Sequence, residues 1–227
     1  MLIERSHQLE IMDDFSIDDE RIDAALIELK IINKYLGGNS VTKKGLEKII
    51  SKIPSQSSIK ILDAGGGASD ILLSLKETNL KIFSADLNKR ITKYVKQNSP
   101  EIEIVCADVF KLPFKQKEFD AIHLSLFLHH FKEDEIKEIL LQLSTLTKYG
   151  IIINDLQRSV FAFLGIKILT TLFSKSEFVK NDGPLSVKKG FKKFELVKIL
   201  DELKFSYEIK YRWAFRWLVI IYLNNEK

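Results

Sequence analysis

Asp63, Asp86 and Asp108 each close a short apolar run, and the first is followed at once by Ala64-Gly65-Gly66-Gly67-Ala68-Ser69-Asp70. Glycines between a strand and a helix permit positive φ and close backbone approach, and the helix start offers free N–H groups. That geometry suits a nucleotide-like ligand. A dinucleotide fingerprint wants a third glycine where this chain has Asp70, and Asp63 adds a second anion. Two carboxylates oppose a pyrophosphate and favour a ligand with a cationic end and no phosphate. A carboxylate at Asp86 can accept both hydroxyls of a ribose, and one at Asp108 can accept an adenine amino proton. His129, His130 and Asp155 are the candidate general bases, since all three fall near later strand ends. No HExxH or CxxC pattern supports a metal reading of His123, His129 and His130, so no metal is expected.

The elements that would position these residues alternate. Residues 59–63, 81–86, 102–106, 119–124 and 150–154 read as strands; residues 70–77, 90–98 and 133–147 read as helices. Such alternation implies βαβ crossovers and a parallel sheet covered on both faces. Residues 205–211 and 217–223 are too close for a crossover, so they pair antiparallel and form an edge. Ahead of the core, Ser16 is the expected N-cap of a helix carrying Ile22, Ala25, Leu26, Leu29, Ile32 and Leu36. Gly37-Gly38 should stop it, and a second helix places Leu46, Ile49 and Ile50 on one face. A last helix is expected over residues 189–203.

Composition bounds the rest. The chain has 227 residues, 35 Lys+Arg against 31 Asp+Glu, 45% hydrophobic and 29% charged residues. Wholesale disorder and fibrous repeats are excluded. A single cysteine, Cys106, allows no internal disulfide and fits a reducing compartment. No secretory h-region opens the chain, and no apolar run reaches the ~20 residues of a membrane span. A soluble cytoplasmic protein is expected.

The same residues resemble the class I S-adenosylmethionine-dependent methyltransferases, in particular the branch of ubiquinone and menaquinone biosynthesis methylases. Leu62-Asp63-Ala64-Gly65-Gly66-Gly67 is similar to the first motif of that family, Asp86 to its ribose-binding acid and Asp108-Val109 to its adenine-binding pair. Leu112-Pro113-Phe114 with Phe119-Asp120-Ala121-Ile122, and Ser125-Leu126-Phe127-Leu128-His129-His130-Phe131, resemble the lead into its fourth strand and that strand's end. The likeness covers about residues 45–155 and the C-terminal strands; Gly66-Gly67-Ala68 departs from a Cys or Thr common in the turn. It implies a Rossmann-like, doubly wound α/β fold: a mostly parallel seven-stranded sheet with an antiparallel C-terminal strand and an N-terminal helical cap. The implied parts of one methyltransferase domain over 1–227 are a cap (1–54), a cofactor-binding core (55–155), a substrate-lid insertion (156–188) and a C-terminal helix with strands (189–227). The implied cofactor is S-adenosylmethionine, converted to S-adenosylhomocysteine and held by Asp63, Gly65, Gly67, Asp86, Leu87, Asp108, Val109 and Ser125. Segments 5–13, 154–158 and 182–186 resemble bacterial methylases of phenolic or polyketide lipid pathways.

The expected acceptor is a small lipophilic phenol or quinol, methylated on oxygen or carbon, with no nucleic acid and at most transient membrane contact. Phe15, Phe161, Phe163 and Phe173 are expected to roof its pocket. Trp213, Phe215 and Trp217 read as packing, and Lys188-Lys189 and Lys192-Lys193 as a solvated helix face. Two rivals stand beside this reading. An RNA or DNA methylase lacks support from any basic arm or Asn-Pro-Pro-Tyr motif; a binding module without turnover would keep fold and cofactor.

Overall fold

The computed structural model describes residue 2 and residues 4–54, 58–75 and 79–223. Its centre is a seven-stranded sheet of order β3-β2-β1-β4-β5-β7-β6. The strands are β1 (Ile59–Ala64), β2 (Leu80–Asp86), β3 (Glu103–Cys106), β4 (Phe119–Ser125), β5 (Thr147–Leu156), β6 (Ser206–Arg212) and β7 (Arg216–Tyr222). The first five run parallel; β7 runs antiparallel to both β5 and β6. The antiparallel strand therefore sits one place in from the edge, and β6 forms the edge itself. The order reverses direction between β1 and β4, which is where open α/β sheets bind ligands.

Among the described residues there are eight α-helices: α1 (Glu20–Tyr35), α2 (Gly38–Ile50), α3 (Asp70–Leu73), α4 (Lys89–Asn98), α5 (Glu133–Leu146), α6 (Val160–Phe173), α7 (Glu177–Lys189) and α8 (Lys193–Glu202). The apolar faces of α5 and α8 pack on one side of the sheet, and those of α1, α2 and α4 on the other. Central strands buried on both faces explain the unbroken run Ile151-Ile152-Ile153.

Several boundaries differ from the sequence expectation for local reasons. Asp19 rather than Ser16 caps α1, because its carboxylate accepts from the Arg21 amide at 3.0 Å. Gly37 adopts positive φ and Gly38 already begins α2, so the two helices are joined by a corner. Helix α3 ends at Leu73; the expected end at Glu77 lies outside the described residues. Lys189 belongs to α7, an unforeseen helix, and α8 starts only at Lys193. The break between them holds a backbone bridge, with the Phe191 amide donating to Leu156 O at 2.8 Å and the Arg158 amide to Phe191 O at 3.0 Å.

A chain of buried polar side chains crosses the sheet. Asp63 and His123 are register partners on β1 and β4, and the Asp63 carboxylate meets His123 Nδ1 at 2.7 Å. His123 Nε2 meets Thr42 Oγ1 at 2.9 Å, and Thr42 accepts from Asn154 Nδ2 at 3.0 Å. Arg216 donates to Asn154 Oδ1 at 3.1 Å, to Asn33 Oδ1 at 3.0 Å and to Leu36 O at 2.9 Å. Desolvation lowers the Arg216 guanidinium to about 10, against opposing attraction from Asp155 and Asp70. Replacing it leaves several buried acceptors unpaired, and each costs about 1–3 kcal/mol. Arg216→Met should therefore lower unfolding stability by about 3 kcal/mol in urea denaturation, whereas exposed Arg21→Met should change it by under about 0.5 kcal/mol.

Candidate functional site

A cavity of about 550 Å³ opens at the carboxyl ends of β1, β2 and β4. The β1–α3 turn forms one wall. Gly65 has φ +65°, and a Cβ there would come within 2.0 Å of the Phe127 ring. A Cβ on Gly66 would meet Asp63 Oδ2 at 2.5 Å, so only glycine lets the turn fold down onto that carboxylate. Gly67 has φ +53° and open space beside it.

Asp86 ends β2 and is pinned: its carboxylate accepts from the Gly67 amide at 3.1 Å and the Asn88 amide at 2.9 Å. Burial raises it to about 6, against the two amides that favour the charge. Asp70 is likewise raised to about 6 by burial, with Asp63 adding repulsion. Both carboxyls line the cavity, so a positive charge placed there would pair with them. Leu87, Asp108, Val109 and Ser125 line it as well. Asp108 accepts from the Phe110 amide at 3.0 Å and so starts a short 3₁₀ turn.

Of the expected cofactor residues, the structure keeps Asp63 away from the wall. Its carboxylate is buried under the turn and turned toward His123. Asp63 is placed to shape the turn, and the acid at the end of that turn that lines the cavity is Asp70.

The second half of the cavity holds a charged cluster. His129 Nδ1 meets Asp155 Oδ1 at 2.7 Å, and both groups are buried. Its Nε2 lies 3.7 Å from Glu10 Oε1, too far for a hydrogen bond. Burial disfavours the imidazolium, but Asp155 and then Glu10 outweigh it and raise His129 to about 9. The His130 ring lies 4.3 Å from that of His129, and its Nδ1 meets Asp13 Oδ1 at 2.9 Å. Lys189 reaches in behind, with Nζ 3.2 Å from Glu10, Asp13 and His130. Glu10 falls to about 2: burial opposes its charge, but His129, His130 and Lys189 prevail. Ligand atoms of Glu10, His129 and His130 lie within 4.8 Å of one another. The ammonium of Lys189 already supplies positive charge at that place.

His129 and His130 thus line the cavity, while Asp155 stands behind His129 and orients it. The lysine expectation is corrected: Lys189 is buried, because its charge is matched within the cluster. The roof is corrected too. Phe15 lines the cavity, but Phe161, Phe163 and Phe173 do not. The covering elements are residues 9–15 and the inner side of α7, through Val179, Asp182, Gly183 and Ser186. Asp182 ties them together by accepting from the Ile11 and Met12 amides at 2.8 and 3.1 Å. Trp217 is buried packing as expected, whereas Trp213 is exposed.

Sequence reasoning missed Glu10, Asn88 and Lys189. Asn88 had a usable signal, since an Asn just past a strand and before a helix is an N-cap; its Oδ1 accepts from the Arg90 amide at 2.8 Å. Glu10 and Lys189 had none, because each is 3 Å from partners far away in sequence. Buried polar atoms without a protein partner include Asn88 Nδ2, Ser125 Oγ and His129 Nε2, and all three residues line this one cavity. Buried polar groups ordinarily find partners, and these three residues sit where a polar ligand would supply them.

Residues 61–150 match the family model described as a methyltransferase domain. The chain is similar to the demethylmenaquinone methyltransferase of Streptomyces avermitilis, 28% identical over 115 residues, covering 51% of this chain and 48% of the relative. It is also similar to that of Renibacterium salmoninarum, 26% identical over 101 residues, with 44% and 40% covered. The chain spans about half the length of the curated relatives it matches. Among solved structures, the plantazolicin methyltransferase in complex with a triazolic desmethylPZN analogue and S-adenosylhomocysteine has a TM-score of 0.70 at 12% identity, covering 91% of this chain and 96% of that one. Human N-acetylserotonin methyltransferase has 0.65 at 18%, covering 97% and 60%. The fold is the one these methyltransferase structures share, a Rossmann-like α/β sheet with antiparallel C-terminal strands.

The raised His129 has a consequence for stability. A group whose pKa rises on folding from 6.5 to about 9 stabilises fully below 6.5 and loses that stabilisation as pH climbs through about 9. Thermal denaturation should show the wild type losing more stability than His129→Asn between about pH 6.5 and 9. Parallel curves would mean that His129 carries no charge in the folded state.

Proposed function

We propose that this chain, whose residues 61–150 match a methyltransferase-domain model, transfers the methyl group of S-adenosylmethionine to a hydroxyl of a lipophilic phenol or quinol. The observation that carries the reading is one cavity whose lining residues include Asp70, Asp86 and Asp108 at one end and His129, held by Asp155, at the other, with Asn88, Ser125 and His129 each keeping a buried polar atom without a hydrogen-bond partner.

The residues present fit the cofactor. Asp86 keeps free lone pairs for two ribose hydroxyls, and Leu87 and Val109 offer apolar surface to an adenine beside Asp108. Gly65 and Gly67 leave room along the turn, Ser125 offers a hydroxyl, and Asp70 faces the cavity with a carboxyl that a cationic end would ionise. When bound, S-adenosylmethionine supplies a methyl on a sulfonium whose leaving group is a neutral thioether, so no acid is needed to expel it.

The protein's own task is to orient the acceptor, exclude water and take a proton. A phenol has a pKa near ~10, and His129 at about 9 is closely matched to it. Asp155 holds Nδ1 and leaves Nε2 as the atom that takes the acceptor's proton. His130, paired with Asp13, borders the same end of the cavity, its ring tilted against that of His129. Leu9, Met12, Phe15, Leu26, Leu29 and Val179 supply the apolar walls that suit a greasy acceptor. Similarity to demethylmenaquinone methyltransferases supports the quinol class.

Two outcomes test the reading. Calorimetry should show Asp86→Ala weakening S-adenosylmethionine by about 2–3 kcal/mol with the fold intact; unchanged affinity would remove Asp86 from the ribose. With hydroxylated aromatics as acceptors, kcat/KM should rise with pH toward a plateau above about 9. Asp155→Asn should move the midpoint down toward 6.5 and lower the plateau, because the anion that raises His129 is gone. A profile that ignores Asp155→Asn would show that His129 is not the base.

A further inference from the structure

Helix α6 was expected over the acceptor, and it faces the other way. Its inner side, with Ala162, Ile166 and Thr170, packs on α7 at Gly183, where a Cβ would stand 3.3 and 3.4 Å from Ile166 and Thr170. Its outer side is a stripe of Phe161, Leu164, Ile168 and Leu172, exposed by 76%, 49%, 59% and 68%. The spacing of these four residues is one face of a helix. Val160 and Phe173 extend the stripe at its ends and are exposed as well. A helix that is apolar all round is ordinarily buried, and a contiguous exposed apolar patch marks an interaction site.

The charge around the stripe says what covers it. Between residues 156 and 176 there is no Asp or Glu, while Lys167 stands beside the stripe and Lys175 follows its end, both exposed. Lys188 on α7 faces the flank, and the Lys167 and Lys188 ammonium groups lie 6.0 and 5.1 Å from the centre of the Phe163 ring. The stripe does not stand alone. Glu28 of α1 accepts from the Lys175 and Ser176 amides at 2.8 and 3.1 Å, which brings exposed Ile27 and Ile31 of α1 to the α6–α7 junction. Among the described residues no helix is long and apolar enough to cross a membrane. A helix of 14 residues is about 21 Å long and suits lying in the plane of an interface. A second copy would bring one lysine rim against another, whereas an anionic surface meets it with opposite charge.

We propose that α6 is an interfacial anchor whose apolar stripe enters the headgroup region of an anionic lipid bilayer, with Lys167, Lys175 and Lys188 on the lipid phosphates. The arrangement also serves the reading above, since the opposite side of α7 lines the acceptor cavity and places its mouth one helix from the lipid. Vesicle binding needs no methyl transfer, so failure of the acceptor reading leaves the test of this surface standing.

The test is flotation of the full chain with vesicles of phosphatidylcholine, alone or mixed equally with phosphatidylglycerol. The chain should float with the mixed vesicles and barely with the neutral ones, and high salt should weaken binding. F161Q/L172Q should reduce binding on the order of ten-fold or more, since both side chains leave water on insertion. K167E/K175E should do the same through charge. All four residues are exposed, so both variants should keep the wild-type melting temperature. Wild type that stays in solution with both vesicles, or variants that float as well as wild type, would overturn the proposal. A wild-type dimer that F161Q/L172Q converts to monomer would assign the stripe to a second copy and overturn it equally.

Discussion

The hydrogen-bonded chain from Asp63 through His123, Thr42 and Asn154 to Arg216 and Asn33 is the constraint on which the rest of the molecule depends. It links β1, β4, β5 and β7 to α1 and α2 through side chains that are all buried. In that low-dielectric interior each bond is strong and each lost partner is costly, so the arrangement is tolerated only as a whole. One end fixes the Asp63 carboxylate beneath the glycine turn and so sets the floor of the cavity. The other end fixes Asn33, which itself lines the cavity from α1. Sheet, helical cap and ligand turn are therefore held in one register by one set of polar contacts.

A second polar cluster closes the cavity from above. Glu10 and Asp13 come from the N-terminal segment, His129 and His130 from the 3₁₀ turn after β4, Asp155 from β5 and Lys189 from α7. Arg5 adds donation to the backbone carbonyls of His129, Phe131 and Lys189 at 3.0, 3.1 and 2.9 Å. The N-terminal segment, the turn after β4, β5 and α7 are thus bound electrostatically to one another at the acceptor end. Taking so many charges out of water is expensive and is repaid only by mutual pairing. The pairing keeps His129 above its ordinary range and leaves its Nε2, 3.7 Å from Glu10, without a hydrogen-bond partner.

How much of this was legible follows from the range of each interaction. The alternation of strands and helices is written in local hydrophobic spacing, and the acids at Asp86 and Asp108 sit directly at strand ends. Both were readable. The partner of Asp63 is 60 residues away, and that of Lys189 is 176 residues away in Asp13, so neither pairing leaves a local trace. Lys189 reads as a solvated lysine beside Lys188 until the tertiary fold supplies its anions. Helix α6 was legible as a helix and illegible in its direction. A sequence that is apolar on every face does not say which face meets the protein. The seventh helix was hidden by Gly183-Pro184, which argue locally for a loop and are overridden by packing of Phe178, Val179, Leu185 and Val187.

The most direct measurement is a crystal structure of the chain with S-adenosylhomocysteine. The ribose hydroxyls should lie on Asp86, the adenine between Leu87 and Val109 beside Asp108, and the sulfur on the side of the cavity that holds His129. A ligand bound outside this cavity, or one whose sulfur points away from His129, would contradict this placement.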